Sequence, residues 1–388
     1  MKKILVNLVS LQHEHILSPW LRIFKYFQLQ GCEIYVNVGR FVKKLGPIRD
    51  VYEFKWLTEE ENRILSKDKT TTKTGFLFHA LKRNLLGLCN SKKIMKGGRF
   101  DIIYTPSSVL DLVIYPYYLK ITGKKTKWVT TLANVVPLSD PGNKIIRFLT
   151  WLFFQSSLRM ARRADIVFVH APEVVDYLVG RYFDKKKLVL TGVGIEADVI
   201  KRARPDERYK ADALFVGRIN ETKGIFDMLK VLKIVREKYP NFQLAVMGEG
   251  DKVTERNFKN EIKKTGLENN VQFLGYITGL KKFNIIKSAK CFWFLSVSQS
   301  ESFGVALLEA VCCGIPAFAY DLPQFSRIYS NGEVDISPKG DFKLVAKKVV
   351  ELFNKGDFGN EKGKLLLGRY SWEKAAEIEH NHMETRAR

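Results

Sequence analysis

Cysteine is scarce in this sequence: Cys32, Cys89, Cys291, Cys312 and Cys313 are the only five in 388 residues, and no CxxC pair occurs. So few thiols in so long a chain argue against a disulfide framework or a zinc site and suit a reducing compartment. No apolar stretch approaches the roughly 20 residues that cross a bilayer. The opening MKKILVNLV has too short an apolar part for a signal peptide, and no small-residue cleavage site follows, so it reads as a first strand. The turn after it, SLQHEHILSP, lacks the paired glycines of a phosphate cradle, which excludes a dinucleotide there. Acidic residues are also in short supply: 41 Asp and Glu stand against 64 Lys and Arg, a net charge of +23.

The imbalance is uneven. Residues 1–190 hold 32 basic against 15 acidic side chains, +17, and the remainder holds 32 against 26, +6. Such asymmetry points to an anionic partner of the N-terminal half, namely a membrane surface, a polyphosphate-lipid or nucleic acid; a merely solubilising lysine-rich surface is the alternative. Residues 69–100 carry eight basic side chains and no acidic one, with Leu81, Leu85 and Leu88 at helical spacing. They are the expected basic amphipathic element, a solvated loop being the other reading. Anionic lipid attracts each such cation by about 1 kcal/mol. The apolar run IIRFLTWLFF, residues 145–154, precedes Arg159, Arg162 and Arg163. It is expected to be a core helix, because helices of a doubly wound domain bury one face on the sheet. An interfacial helix with Trp151 at headgroup depth is the alternative.

What is present in quantity is alternation. Strands are predicted at residues 2–9, 33–38, 101–104, 128–132 and 165–169, and again at 214–216, 244–247, 271–274, 291–297 and 317–320. Helical patterns separate many of them, which implies parallel, doubly wound sheets. At 388 residues the chain has room for two such domains. In the first, His13 and His15 lie on the opening loop and lack the further ligands that a metal would need. Asn134 and His170 stand at strand ends, where ligands of open α/β sheets bind.

The second domain carries the chemistry. Gly217-Arg218 and Lys223-Gly224 bracket a strand-to-helix loop. The glycines allow close backbone approach, Arg offers a planar fork and Lys a point charge, a set suited to phosphate. Gly248 and Glu249 end the next strand. Farther on, a polar corner holding Glu301 and Ser302 leads through Phe303-Gly304 into an apolar helix whose single charged side chain is Glu309. A carboxylate there is costly unless something hydrogen-bonds it. Ribose hydroxyls would do so, and so would a buried Arg or Lys; Glu301 in turn either meets a ligand or caps the helix.

The spacing Glu301-x7-Glu309 within SESFGVALLEA resembles the signature of the retaining glycosyltransferases of family 4. LFVGRINETKG (214–224), LAVMGEGD (244–251) and FLGYI (273–277) stand upstream in the family's order, and together these motifs cover residues 212–320. The resemblance implies a GT-B fold, two Rossmann-like domains facing across a cleft. The implied division is residues 1–195 for the acceptor, a linker at 196–212, residues 213–370 for the nucleotide-sugar, and a terminal helix at 371–388 that packs back on the first domain. Arg218 and Lys223 would hold the diphosphate and Glu309 the ribose. Glu301, with backbone groups of Ser302, Phe303 and Gly304, would meet the sugar, and Gly217, Gly248, Tyr276 and Ile277 would complete the donor site. The acceptor-side candidates are His13, His15, Asn134 and His170. Many relatives carry a His where this chain has Ala133.

No Asp-x-Asp occurs, so no metal and no cofactor are expected, only a nucleoside-diphosphate sugar as substrate. The activity implied is retaining transfer of a hexose to a lipid-linked or cell-surface glycan at the cytoplasmic membrane face. A GT-B epimerase or phosphorylase, or a basic nucleic-acid binder, are the rival readings. The basic run lacks the interleaved aromatics that nucleic acid favours.

Overall fold

In a computed structural model, residues 1–8, 14–38, 53–58, 85, 99–138, 144–298, 301 and 303–385 are described. They form two compact units, Met1–Gly194 with Trp372–Arg388, and Ile195–Ser371.

In the first unit the order is β1 (Lys3–Asn7), α1 (Glu14–Leu29), β2 (Glu33–Val38), β3 (Lys55–Thr58), β4 (Ile102–Thr105), α2 (Leu110–Ile121), β5 (Lys127–Leu132), α3 (Lys144–Ala161), β6 (Ile166–Val169), α4 (Pro172–Val179) and β7 (Leu188–Leu190). Its sheet is parallel, in the order β3-β2-β1-β4-β5-β6-β7. The inner strands β4 and β6 are buried at every position, as strands covered on both faces must be. Phe24, Phe27, Tyr104 and Phe168 form the centre of the core.

The second unit runs α5 (Ala197–Arg202), β8 (Ala211–Val216), α6 (Ile225–Lys238), β9 (Leu244–Met247), α7 (Lys252–Lys264), β10 (Val271–Gly275), α8 (Gly279–Ser288), β11 (Ala289–Phe294), α9 (Val305–Cys312), β12 (Ala317–Tyr320), α10 (Phe325–Ile328), β13 (Asp335–Ser337), α11 (Phe342–Lys355) and α12 (Glu361–Leu365). Its parallel sheet has the order β10-β9-β8-β11-β12-β13. Helix α6 shows why these segments fold as they do: Ile225, Met228, Leu229, Leu232 and Val235 recur at helical spacing and are all buried. Residues 196–212, read as linker from sequence, lie in this unit and carry α5 and the start of β8.

A last helix, α13 (Trp372–Thr385), returns to the first unit. Its Glu379 is 1% exposed, and Tyr104 Oη donates to Glu379 Oε2 at 2.7 Å.

One expectation is overturned. The first half of α3 is not core: Ile145, Phe148 and Leu152 are 47%, 51% and 40% exposed, and burial begins at Phe154. A hydrophobic run fixes that a helix has an apolar stripe, but not which way the stripe turns. Among the described residues no helix is long and apolar enough to cross a membrane. Apart from Leu85, Arg99 and Phe100, the basic segment 69–100 lies outside the described residues.

Candidate functional site

The strand order of the second sheet reverses between β8 and β11, and crevices at such switch points are where open α/β sheets bind ligands. The loops leaving these two strands are the ones that carry Lys223 and Glu301.

The loop after β8 is shaped by its own residues. Asn220 Oδ1 accepts from Thr222 N at 2.9 Å and Thr222 Oγ1 at 2.8 Å, a side-chain-closed turn. Gly224 then takes φ +72° and starts α6; a Cβ there would lie 1.8 Å from Leu295 O, so only glycine lets this loop rest on the exit of β11. Thr222 O is the seam between the two loops, accepting from Val297 N at 2.9 Å and Ser296 Oγ at 3.0 Å. The exits of the neighbouring strands are stitched in the same way, Gly217 N to Met247 O and Gly248 N to Gly275 O.

This seam brings two residues 78 positions apart into contact. Lys223 Nζ donates to Glu301 Oε1, and the two side chains are 20% and 14% exposed. Ser296 Oγ also reaches that oxygen, at 3.4 Å, and Lys223 Nζ lies 5.7 Å from the Phe294 ring centroid. Gln324 Nε2 donates to the Glu301 carbonyl. Arg218 is exposed at the start of the same loop, and no described residue pairs with it. Glu301 does not cap α9: the N-cap is Gly304, and no side chain caps it.

Glu309 belongs to a second cluster. It is 7% exposed, and burial pushes its carboxyl up from the ordinary range, opposed by Lys282 and reinforced by Glu196. Lys282 Nζ donates to Glu309 Oε1 at 2.7 Å. The apolar surroundings of Glu309 in sequence are thus relieved by a lysine from α8, the second of the two readings left open for it.

The remaining candidates are placed as follows. Tyr276 is 57% exposed after β10, and Ile277 is half-buried. Phe303 is buried against Tyr370, with its carbonyl accepting from Tyr329 Oη at 3.2 Å, so its side chain is core. In the first unit Asn134 is exposed after β5, while His170 is buried after β6 and stacked on Trp20 at 6.1 Å. Burial alone lowers His170 to about 4, so the ring is neutral. His13, Ser302 and the His15 side chain lie outside the described residues. Sequence reasoning missed Lys282, Ser296 and Gln324, none of which stands in a distinctive local pattern, and Asn220, which lies within GRINETKG but was given no role.

A sequence profile described as Glycosyl transferases group 1 matches residues 197–363. The chain is 33% identical over 165 residues to a phosphatidyl-myo-inositol mannosyltransferase of Mycobacterium leprae, a stretch covering 41% of this chain and 42% of that protein. It is 26% identical over 314 residues to an uncharacterized glycosyltransferase of Methanocaldococcus jannaschii, covering 75% of this chain and 73% of that one. Among solved structures, Anabaena Alr3699/HepE in complex with UDP superposes with a TM-score of 0.72 at 13% identity, over 99% of this chain and 100% of that chain. The fold is therefore GT-B, two parallel-sheet α/β domains in one chain.

Proposed function

We propose that the chain is a retaining glycosyltransferase of family 4 that moves a hexose from a nucleoside-diphosphate sugar to a hydroxyl of a lipid-linked or cell-surface glycan precursor. The observation that carries this reading is the Lys223–Glu301 pair, held by the Thr222 seam at the switch point of the second sheet. A cation and a carboxylate kept together on two switch-point loops suit a ligand that is anionic at one end and polyhydroxylated at the other. The solved neighbour in complex with UDP and the mycobacterial relative, whose name specifies a lipid acceptor and mannosyl transfer, support the same classes of donor and acceptor.

In this mechanism the donor exchanges the internal pair for two contacts. Lys223 turns to the diphosphate beside Arg218, and Glu301 accepts from sugar hydroxyls. Glu309, with Lys282 on one oxygen, accepts from the ribose with the other. The bond from the sugar's anomeric carbon to the diphosphate oxygen breaks and its electron pair stays on the diphosphate, whose growing charge Arg218 and Lys223 offset. The acceptor oxygen bonds to the same face of that carbon and gives its proton to the departing phosphate oxygen. No metal enters this scheme; the two cations take that part. The first unit takes the acceptor, with Asn134 at its strand-end edge, and the enzyme works at the cytoplasmic face of a membrane, the +17 charge of the N-terminal half favouring an anionic surface.

The test is a screen of nucleoside-diphosphate sugars for thermal stabilisation; a ligand at 100 times its Kd adds about 2.7 kcal/mol. Product analysis with lipid extracts follows. Acceptor-dependent release of nucleoside diphosphate with retention at the anomeric carbon is expected. Free sugar phosphate or an epimerised donor would instead mean phosphorolysis or epimerisation.

A further inference from the structure

Helix α3 is built inside out in its first half. Its inward face at the C-terminal half includes Gln155 and Ser157, both buried: Gln155 Nε2 donates to Tyr177 Oη at 3.2 Å, Arg181 Nη1 donates to Gln155 Oε1 at 2.8 Å, and Ser157 Oγ donates to Ser108 O. Its outward stripe, at i, i+3 and i+7, is Ile145, Phe148 and Leu152, three large apolar side chains each about half exposed. Trp151 flanks the stripe and stacks on Phe148 at 6.1 Å. A surface helix ordinarily turns such a stripe inward, so an outward one marks a contact with something apolar.

The charges say what that contact is. Lys144, Arg147 and Arg159 are the charged residues of α3, and its first turn has no acidic side chain. Cations in the first turn of a helix oppose the macrodipole, and an anionic surface beside that turn offsets the cost. The placement fits as well. Helix α3 follows β5 and runs back along a parallel sheet, so its first half lies at the C-terminal edge of the strands. Asn134 and the exposed Leu138 leave β5 at the same edge.

We infer that residues 144–152 of α3 dock the enzyme on an anionic bilayer, with Phe148, Trp151 and Leu152 entering the headgroup–acyl boundary and Lys144 and Arg147 meeting lipid phosphates. This deepens the glycosyltransferase reading and rests on it for one purpose: docking at this edge sets a lipid-borne acceptor where the first unit binds it.

The full-length protein is co-sedimented with vesicles of phosphatidylcholine plus phosphatidylglycerol and with phosphatidylcholine alone. The expected result is binding to the anionic vesicles, weakened by salt, and weakened about tenfold or more in the Phe148→Ser/Leu152→Ser variant. Ile121→Ser, at an equally exposed apolar position on the opposite edge, should bind as the parent does. Wild-type binding retained by the double variant overturns the proposal. So does a dimer in sedimentation velocity that the double variant abolishes, with no vesicle binding by the parent; that face would then be a self-association surface. Thermal stabilisation by nucleotide-sugar is measured in parallel. If no nucleotide-sugar stabilises the parent while vesicle binding still depends on Phe148 and Leu152, the docking surface stands and the glycosyltransferase reading falls.

Discussion

Lys282 Nζ lies 2.7 Å from Glu309 Oε1, with 16% of one side chain and 9% of the other exposed. Glu309 therefore does not depend on a ligand to offset its burial, because α8 supplies the counter-charge to α9. Replacing only one partner leaves a buried group uncompensated, whereas replacing both need not. Lys282→Met is expected to cost about 3 kcal/mol or more in urea unfolding, and Lys282→Met/Glu309→Leu to recover much of that. A single-variant cost near that of an exposed pair, about 0.5 kcal/mol, would contradict the burial.

Lys223 is the better probe of chemistry. Its pair with Glu301 is partly exposed, so Lys223→Ala should lower stability by only about 1 kcal/mol. Turnover should fall about 100-fold or more, the usual loss when one charge-stabilising donor is removed. Near-parental turnover in the folded variant would take Lys223 out of the mechanism.

Gly224 and Gly266 separate a clash from a bare backbone preference. Both have positive φ, +72° and +63°, but a Cβ at Gly224 would meet Leu295 O at 1.8 Å and one at Gly266 would meet nothing within 4 Å. Gly266→Ala is expected to cost about 1 kcal/mol and Gly224→Ala about 3 kcal/mol or more, with loss of donor binding. Equal costs by chemical denaturation would mean that the two switch-point loops do not touch.

Two buried groups of the first unit give stability opposite pH slopes. His170, lowered from 6.5 to about 4 by burial, takes up its proton more readily when unfolded, so its contribution is complete above pH 6.5 and is lost as pH falls toward 4. Glu379 is raised from 4.5 to about 8 by burial, partly opposed by the Tyr104 hydrogen bond; its contribution is complete below pH 4.5 and is lost as pH rises toward 8. Thermal melts across this range should show His170→Phe flattening the acid limb and Glu379→Gln the alkaline one. Unchanged limbs would mean that these groups titrate alike in the folded and unfolded chain.

The inner strands were legible. Residues 244–247 and 317–320, LAVM and AFAY, read as strands and form β9 and β12, because a strand covered on both faces is a continuous apolar run. The strands that escaped notice, β3, β7 and β13, are edge strands of three or four residues, KWLT, LVL and DIS. An edge strand is covered by fewer neighbours, so its composition is less constrained. The candidate site was legible as motifs, since GRINETKG and the polar corner at Glu301 flank predicted strands. Its seam at Thr222 O was not, because a backbone carbonyl carries no mark in sequence.

The sequence by itself determined the alternation of strands and helices, the two loops bearing Lys223 and Glu301, and the surplus of positive charge in the N-terminal half. Only the tertiary structure decided that Lys223 meets Glu301, that Lys282 answers Glu309, and that α3 turns Phe148 and Leu152 outward. Local periodicity fixes an element and the existence of its apolar face. The partner of a charge and the direction of a face depend on contacts between residues far apart in the chain, which no short window of sequence contains.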